Sequence, residues 1–316
     1  MAQAGAERCF GDQLAARVAA RESQLVLGLD PDPRRLWPDA TSGADVPAGP
    51  PGLPAADAAA AAVHAHCEAV LEACAPACVA VKLQLACFER LGAPGRDVLG
   101  QVAGRARRAG LLVLADGKRG DIDVSAAAYA DSLLGATPTP FGEVPGLGAD
   151  ALTVNPLLGR DSLEPFLQAA RRTASGVFVL VRTSNPGAAD VQDLLLQGGR
   201  PMWEHLAGIV ADLGRVGSAG LSDVGAVVGA TAPEHLARMR ELMPTTPFLL
   251  PGVGAQGGQV EDLAPAFLPG SAGGLITASR SLVDAGRGEP RADLARAARR
   301  EAERLRESAW RLSQSL

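Results

Sequence analysis

Asp116, Lys118 and Asp121 stand in the order Asp-x-Lys-x-x-Asp, two carboxylates around one ammonium. A lysine held between acids stays protonated and aimed, because a nearby opposite charge favours the charged form. Such an ammonium can neutralise negative charge building on a substrate atom and then deliver a proton to it. The neighbourhood is dense: Asp116, Lys118, Arg119, Asp121 and Asp123 fall within eight residues of a chain that is 21% charged. Taken alone, the pattern also describes an ordinary ion pair followed by an ordinary helix N-cap at Asp121. Position argues for more. The apolar run at 113–115 reads as a buried parallel strand ending at Asp116. Asp116 and Lys118, two apart, leave the same face if strand geometry persists, and Gly117 and Gly120 permit unusual backbone.

What must position these groups is a repeated unit. Apolar, non-alternating segments at 24–30, 78–84, 113–116, 150–155, 176–183, 224–229, 247–250 and 273–277 read as strands. Between them lie helical stretches near 55–75, 95–108, 122–134, 162–173, 203–213, 233–243 and 259–265, with further helices after Arg280. Residues 1–23 read as one amphipathic leading helix, and the Pro/Gly-rich stretches 38–54 and 137–148 as loops, the first a surface insertion. Eight strand–helix alternations without a long linker imply a parallel sheet covered on both faces. The expectation is an α/β (β/α)8 TIM barrel, a single catalytic domain over 1–316. No GxGxxG follows the first strand, which argues against a dinucleotide-binding sheet.

In a barrel the strand ends share one rim. Asp30, Lys82, Asp116, Lys118, Asn155, Ser184, Gln256 and Arg280 all lie at or just past such ends. The segment PGVGAQGG, starting at Pro251, and Ser279-Arg280 follow the seventh and eighth strands, where this fold binds phosphate. Bare backbone N–H groups and an arginine fork suit that anion. The residues therefore predict a barrel enzyme with a charged, anion-binding mouth.

Composition narrows the class. The 316 residues carry a formal net charge of −5 and no basic cluster that suggests a nucleic-acid partner. No run of 18 apolar residues suggests a membrane span. The first 23 residues lack the basic start and apolar core of a secretory signal, so a cytoplasmic setting is expected. Cys9, Cys67, Cys74, Cys78 and Cys87 are odd in number and form no CxxC pair, and His64 and His66 diverge on a helix. Free, buried thiols are expected rather than a zinc site.

With these residues in hand, the chain resembles the orotidine 5′-phosphate decarboxylase family, most closely its longer bacterial branch. The segments that carry the likeness run in order from Asp30 to Arg280: LGLDPD, VKLQLACFERLG, DGKRGDIDVSAA, TVNPLLGRDSLEPF, VRTSNPGAADVQDL, PGVGAQGG and SRS. The resemblance implies conversion of orotidine 5′-monophosphate to UMP and carbon dioxide with no metal or organic cofactor. It implies Lys118 as proton donor to C6 of the pyrimidine, flanked by Asp116 and Asp121, with Lys82 completing an alternating charge array. It places Asp30 and Lys82 on the ribose, Ser184 on the pyrimidine, and Gln256 and Arg280 on the phosphate, with Pro251 opening the closing loop. It further implies a homodimer in which Asp121 and Ser125 reach the neighbouring site. Where the shorter branch has Ser-His-Pro-Gly, this chain has Ser184-Asn185-Pro186-Gly187, so the role of Asn185 stays open.

Two alternatives share parts of the pattern. A 3-hexulose-6-phosphate synthase-like aldolase has a similar strand end but needs Mg²⁺, whereas the Arg-Gly-Asp-Ile continuation and Thr-Ser-Asn-Pro-Gly favour the decarboxylase. A non-catalytic nucleotide-binding barrel would keep the phosphate grip without need of a lysine between two acids.

Overall fold

The computed structural model describes residues 9–38, 54–254, 257–288 and 293–316. The strands are β1 (Leu25–Leu29), β2 (Ala80–Gln84), β3 (Leu112–Arg119), β4 (Ala136–Thr139), β5 (Gly142–Pro145), β6 (Ala151–Val154), β7 (Gly176–Arg182), β8 (Val224–Val228), β9 (Phe248–Pro251) and β10 (Gly274–Ala278). Eight of them close into a parallel barrel in the order β1-β2-β3-β6-β7-β8-β9-β10. The expected (β/α)8 barrel is therefore present. Its strands are buried on both faces because helices pack outside and side chains fill the inside, which is why they lack polar alternation.

The leading helix is Phe10–Arg21, with Phe10, Leu14 and Val18 buried on one stripe. It plugs the lower end of the barrel: Phe10 meets Phe178 edge to face, centroids 5.9 Å apart. A Cβ at Gly176 would sit 2.4 Å from the Phe10 ring, so only glycine allows that approach. With the bottom sealed, the strand carboxyl ends are left as the concave face.

Three expectations are corrected. The segment 137–148 is not simply a loop: β4 and β5 pair there as an antiparallel hairpin with Phe141 fully exposed at its tip. Thr137 and Thr139, one on each side of Pro138, supply the extended residues, and Gly142 turns the chain at φ 113°. Asp121 is not a helix cap. The helix is Asp123–Leu133, its cap position is Ile122, and Asp121 Oδ1 instead accepts from the Ile122 N–H at 2.8 Å. Strand geometry also does not persist from Asp116 to Lys118. The β3–β6 register slips between Ala115 and Arg119, and Lys118 adopts φ 45°. The 38–54 insertion lies, but for its end residues, outside the described residues.

Candidate active site

Asp116 is the centre of the mouth. It is 4% exposed, and both carboxylate oxygens are fully engaged. Oδ2 accepts from Lys82 Nζ at 2.6 Å and from Gln84 Nε2 at 3.2 Å. Oδ1 accepts from Lys118 Nζ at 2.6 Å and from the Thr153 hydroxyl at 2.9 Å. Burial alone would raise the Asp116 pKa, but Lys82 and Lys118 outweigh it and hold the carboxyl at about 2. Burial likewise opposes the Lys82 ammonium, yet Asp116 and Asp30 keep its pKa above the ordinary lysine value. Lys82 Nζ lies 3.6 Å from Asp30 Oδ1, and Ser279 Oγ donates to Asp30 Oδ2 at 2.6 Å. The Lys82 side chain is 8% exposed, whereas that of Lys118 is 44% exposed, so Lys118 is the cation presented to the cavity.

That cavity measures about 590 Å³. Asp30, Lys82, Asp116, Lys118, Asn155, Ser184, Pro251 and Arg280 all line it. Its opposite wall is apolar, from Leu180, Val227 and Leu249. A floor of charges facing a dry wall fits a ligand with one ionic end and one flat apolar body.

The chain after β9 turns through Gly252, Gly254 and Gly257, all at positive φ. Val253 bridges Gly258, and Gly254 N–H donates to the Gly258 carbonyl at 3.0 Å. Gln256 lies outside the described residues. Arg280 is exposed at the same opening, beyond Ser279 and the end of the neighbouring strand β10.

Two expected site residues are not brought to Lys118 within one chain. Among the described residues, the only carboxylate within 4 Å of Lys118 Nζ is Asp116, and neither Asp121 nor Ser125 lines the cavity. Ser125 is exposed, and Ile122 and Val124 beside it are 49% and 83% exposed. Across the β3–β6 seam, Leu157 and Leu158 are exposed as well.

Sequence reasoning missed Gln84, Thr153 and Gln192. Gln84 ends β2 two residues past Lys82, and Thr153 lies inside the otherwise apolar β6; these polar positions were the available signal. Gln192 lines the cavity from the segment after β7, where its Oε1 accepts the Thr183 N–H at 2.8 Å. A chain distance of nine residues hides that contact. The three deeply placed thiols, Cys67, Cys74 and Cys78, are buried and raised in pKa by that burial. They stand apart from the mouth as small core residues.

Comparison with known proteins agrees with this geometry. Residues 23–297 match the model of the family described as Orotidine 5′-phosphate decarboxylase / HUMPS family. The chain is 41% identical over 279 residues to an orotidine 5′-phosphate decarboxylase of Rhodopirellula baltica, covering 87% of this chain and 88% of that one. It is 51% identical over 216 residues to one of Deinococcus radiodurans, covering 67% and 74%. A solved structure of Leishmania donovani OMP decarboxylase superposes with a TM-score of 0.70 at 33% identity, covering 96% of this chain and 98% of that one.

Proposed function

The chain belongs to the orotidine 5′-phosphate decarboxylase / HUMPS family, and from that membership we infer that it converts orotidine 5′-monophosphate to UMP and carbon dioxide, the closing step of UMP synthesis. The observation that carries the reading is the Lys82–Asp116–Lys118 array at the cavity floor.

Breaking the bond between C6 and its carboxylate releases CO₂ and leaves an electron pair on an sp² carbon with no adjacent carbonyl to absorb it. Lys118 is placed to offset that charge as it forms and to transfer a proton from Nζ to C6. The neutral amine left behind regains its proton from solvent through the open mouth. Asp116 pairs with the Lys118 ammonium and aims it. With Asp30 3.6 Å from Lys82 Nζ, the array Asp30–Lys82–Asp116–Lys118 carries no net charge, and the partner subunit's Asp121 adds a negative one in the homodimer reading. Two unit charges 4 Å apart interact by about 4 kcal/mol at an effective dielectric of 20, so a carboxylate beside the substrate's own would repel it. Stabilisation of the transition state by Lys118 is taken as the main catalytic contribution.

Asp30 and Lys82 are assigned to the ribose, Ser184 to the pyrimidine, and Arg280 with Gln256 and the loop from Pro251 to the phosphate. The phosphate is remote from C6, and its binding energy can drive closure of that loop. The working unit is a homodimer in which Asp121 and Ser125 of the partner subunit complete each site. The exposed Ile122, Val124, Leu157 and Leu158 around the seam support this, since solvent-facing apolar clusters mark association surfaces. The reading also takes the enzyme as cytoplasmic, in keeping with five free cysteines.

The direct test follows ring ultraviolet absorbance when purified protein meets orotidine 5′-monophosphate with EDTA present. A fall in absorbance at the rate seen without chelator is expected. Turnover that stops with EDTA and returns with Mg²⁺ points to aldolase-type metal chemistry, and no turnover under either condition refutes the assignment.

A further inference from the structure

We propose that Thr153 is a positioning residue of this reaction, its hydroxyl setting the aim of Lys118. The proposal rests on the decarboxylase reading above.

The observation is a backbone irregularity and what fills it. β3 and β6 pair at Ala115–Leu152 and again at Arg119–Val154, so four steps along β3 face only two along β6. The surplus bulges toward the mouth and carries Lys118 with it. Bulges re-aim side chains at sites, at the cost of ladder hydrogen bonds. Lys118 also sits at φ 45°, a backbone region that a lysine rarely adopts and that persists only when its surroundings impose it.

Thr153 is the β6 residue opposite the bulge, and it is 1% exposed. Its Oγ1 accepts the Lys118 N–H at 2.9 Å and donates to Asp116 Oδ1 at 2.9 Å. The direction is forced. A hydroxyl has one proton, and the Asp116 carboxylate, held ionised by two ammonium groups, has none to give. The Thr153 proton therefore goes to Asp116, and an oxygen lone pair remains for the Lys118 amide. One hydroxyl thus replaces the missing ladder bond and ties the lysine backbone to the same carboxylate oxygen that its Nζ grips. Its β-branched side chain is stiff at χ1 on a strand, which keeps the oxygen in place.

Thr153 borders the cavity but is 1% exposed, and its hydroxyl is already committed to the Lys118 N–H and to Asp116 rather than free for substrate. Its removal should leave ligand binding intact and misplace the proton donor. Small misplacements of a reacting group cost up to about a hundredfold in rate.

The experiment compares wild type, Thr153→Val and Thr153→Ser as full-length protein, measuring kcat, KM, UMP dissociation constant and thermal midpoint. Expected is a kcat lower by about 10- to 100-fold in Thr153→Val with the UMP constant within about twofold. Thr153→Ser, which keeps the oxygen, should recover kcat to within about threefold of wild type. A Thr153→Val enzyme at wild-type kcat overturns the proposal. So does a parallel loss of kcat, UMP binding and thermal midpoint in both variants, because that is a packing role. Should Thr153→Val fail to fold, Thr153→Ala takes its place, and full kcat there overturns the proposal equally. Wild-type protein that leaves orotidine 5′-monophosphate unconsumed refutes the parent reading, and the proposal with it, before any variant is made.

Discussion

Lys82 and Lys118 grip opposite oxygens of one carboxylate, each at 2.6 Å from Asp116. The two lysines come from different strands, and their ammonium groups would repel one another without the anion between them. Lys82 lines the cavity but is mostly buried, and Lys118 is half-exposed at the mouth. The buried cation thus shares the carboxylate that holds the exposed one.

The same arrangement has an acid signature. Asp116 is held at about 2 by the two lysines, below the ordinary carboxyl value near 4. A group whose folded pKa is depressed contributes stability that is present above its unfolded value and lost as pH falls through the folded one. Asp116 should therefore contribute roughly 2–3 kcal/mol at neutral pH. In Asp116→Asn the stability deficit measured by urea unfolding should narrow as pH drops from about 4 toward 2. A deficit that stays constant over that window would mean the ionised carboxylate is not what the lysines stabilise.

Lys118→Ala separates binding from chemistry. It removes the group proposed both to offset the charge and to supply the proton, so turnover should fall by roughly 10⁴-fold or more. A UMP analogue should still bind, since the ribose and phosphate contacts proposed above involve Asp30, Lys82 and Arg280 rather than Lys118. Calorimetry with the analogue beside the absorbance assay checks both halves; substantial turnover by the variant contradicts the assigned proton donor.

Sharing of the site between subunits is tested by complementation. Lys118→Ala and Asp121→Ala should each be inactive alone. Mixed after subunit exchange, heterodimers place an intact Lys118 opposite an intact Asp121 at one of their two sites. Activity should return to at most about half the wild-type level per heterodimer. No recovery after exchange has been verified by mass would show that Asp121 serves its own chain.

The barrel was legible because its strands are long apolar runs at regular spacing, a signal that survives any local irregularity. The rim residues were legible for the same reason, since strand ends follow from strand positions. What escaped depends on departures from regular geometry. The bulge that lifts Lys118 has no mark in the apolar pattern of 113–115, and the strand rule placed Lys118 correctly for the wrong reason. Asp121 looked like a cap because a carboxylate preceded an Ala-rich run, yet the chain turns once more before Asp123, itself at φ 45°. The hairpin at 136–145 was masked by its prolines and glycines, which signal loops and tight turns alike.

A second titration lies next to the mouth. His66 is buried, and its Nδ1 accepts the Trp37 N–H at 3.1 Å while the two rings meet edge to face. Burial first, and Arg287 second, push its pKa down to about 4, with Asp284 opposing. Unfolded, it titrates near 6.5, so between those values the unfolded chain holds more protons and stability rises with pH. We expect up to roughly 3 kcal/mol to be lost between pH 6.5 and 4 on this account. His66→Asn offers the Trp37 amide an acceptor without the titration, and its unfolding midpoint should be flatter across the same range. Equal slopes in wild type and variant would exclude His66 as the source.

Gly229 is the last test, and it concerns the pyrimidine end. A Cβ there would lie 2.8 Å from both Cα and N of Ser184 and 3.0 Å from the Thr183 carbonyl carbon. These are backbone atoms that cannot swing aside, and the Gly229 N–H is itself tied to the Arg182 carbonyl at 2.7 Å. Gly229→Ala must therefore displace Ser184 or break that tie, with Thr183 braced from behind by Gln192. If Ser184 reads the pyrimidine, KM should rise about tenfold or more while the Lys118 chemistry, carried by β3 two strands away, changes kcat less. Thermal melts would confirm that the variant folds. A kcat that falls as far as kcat/KM, at unchanged KM, would instead place Ser184 among the groups that act only in the transition state.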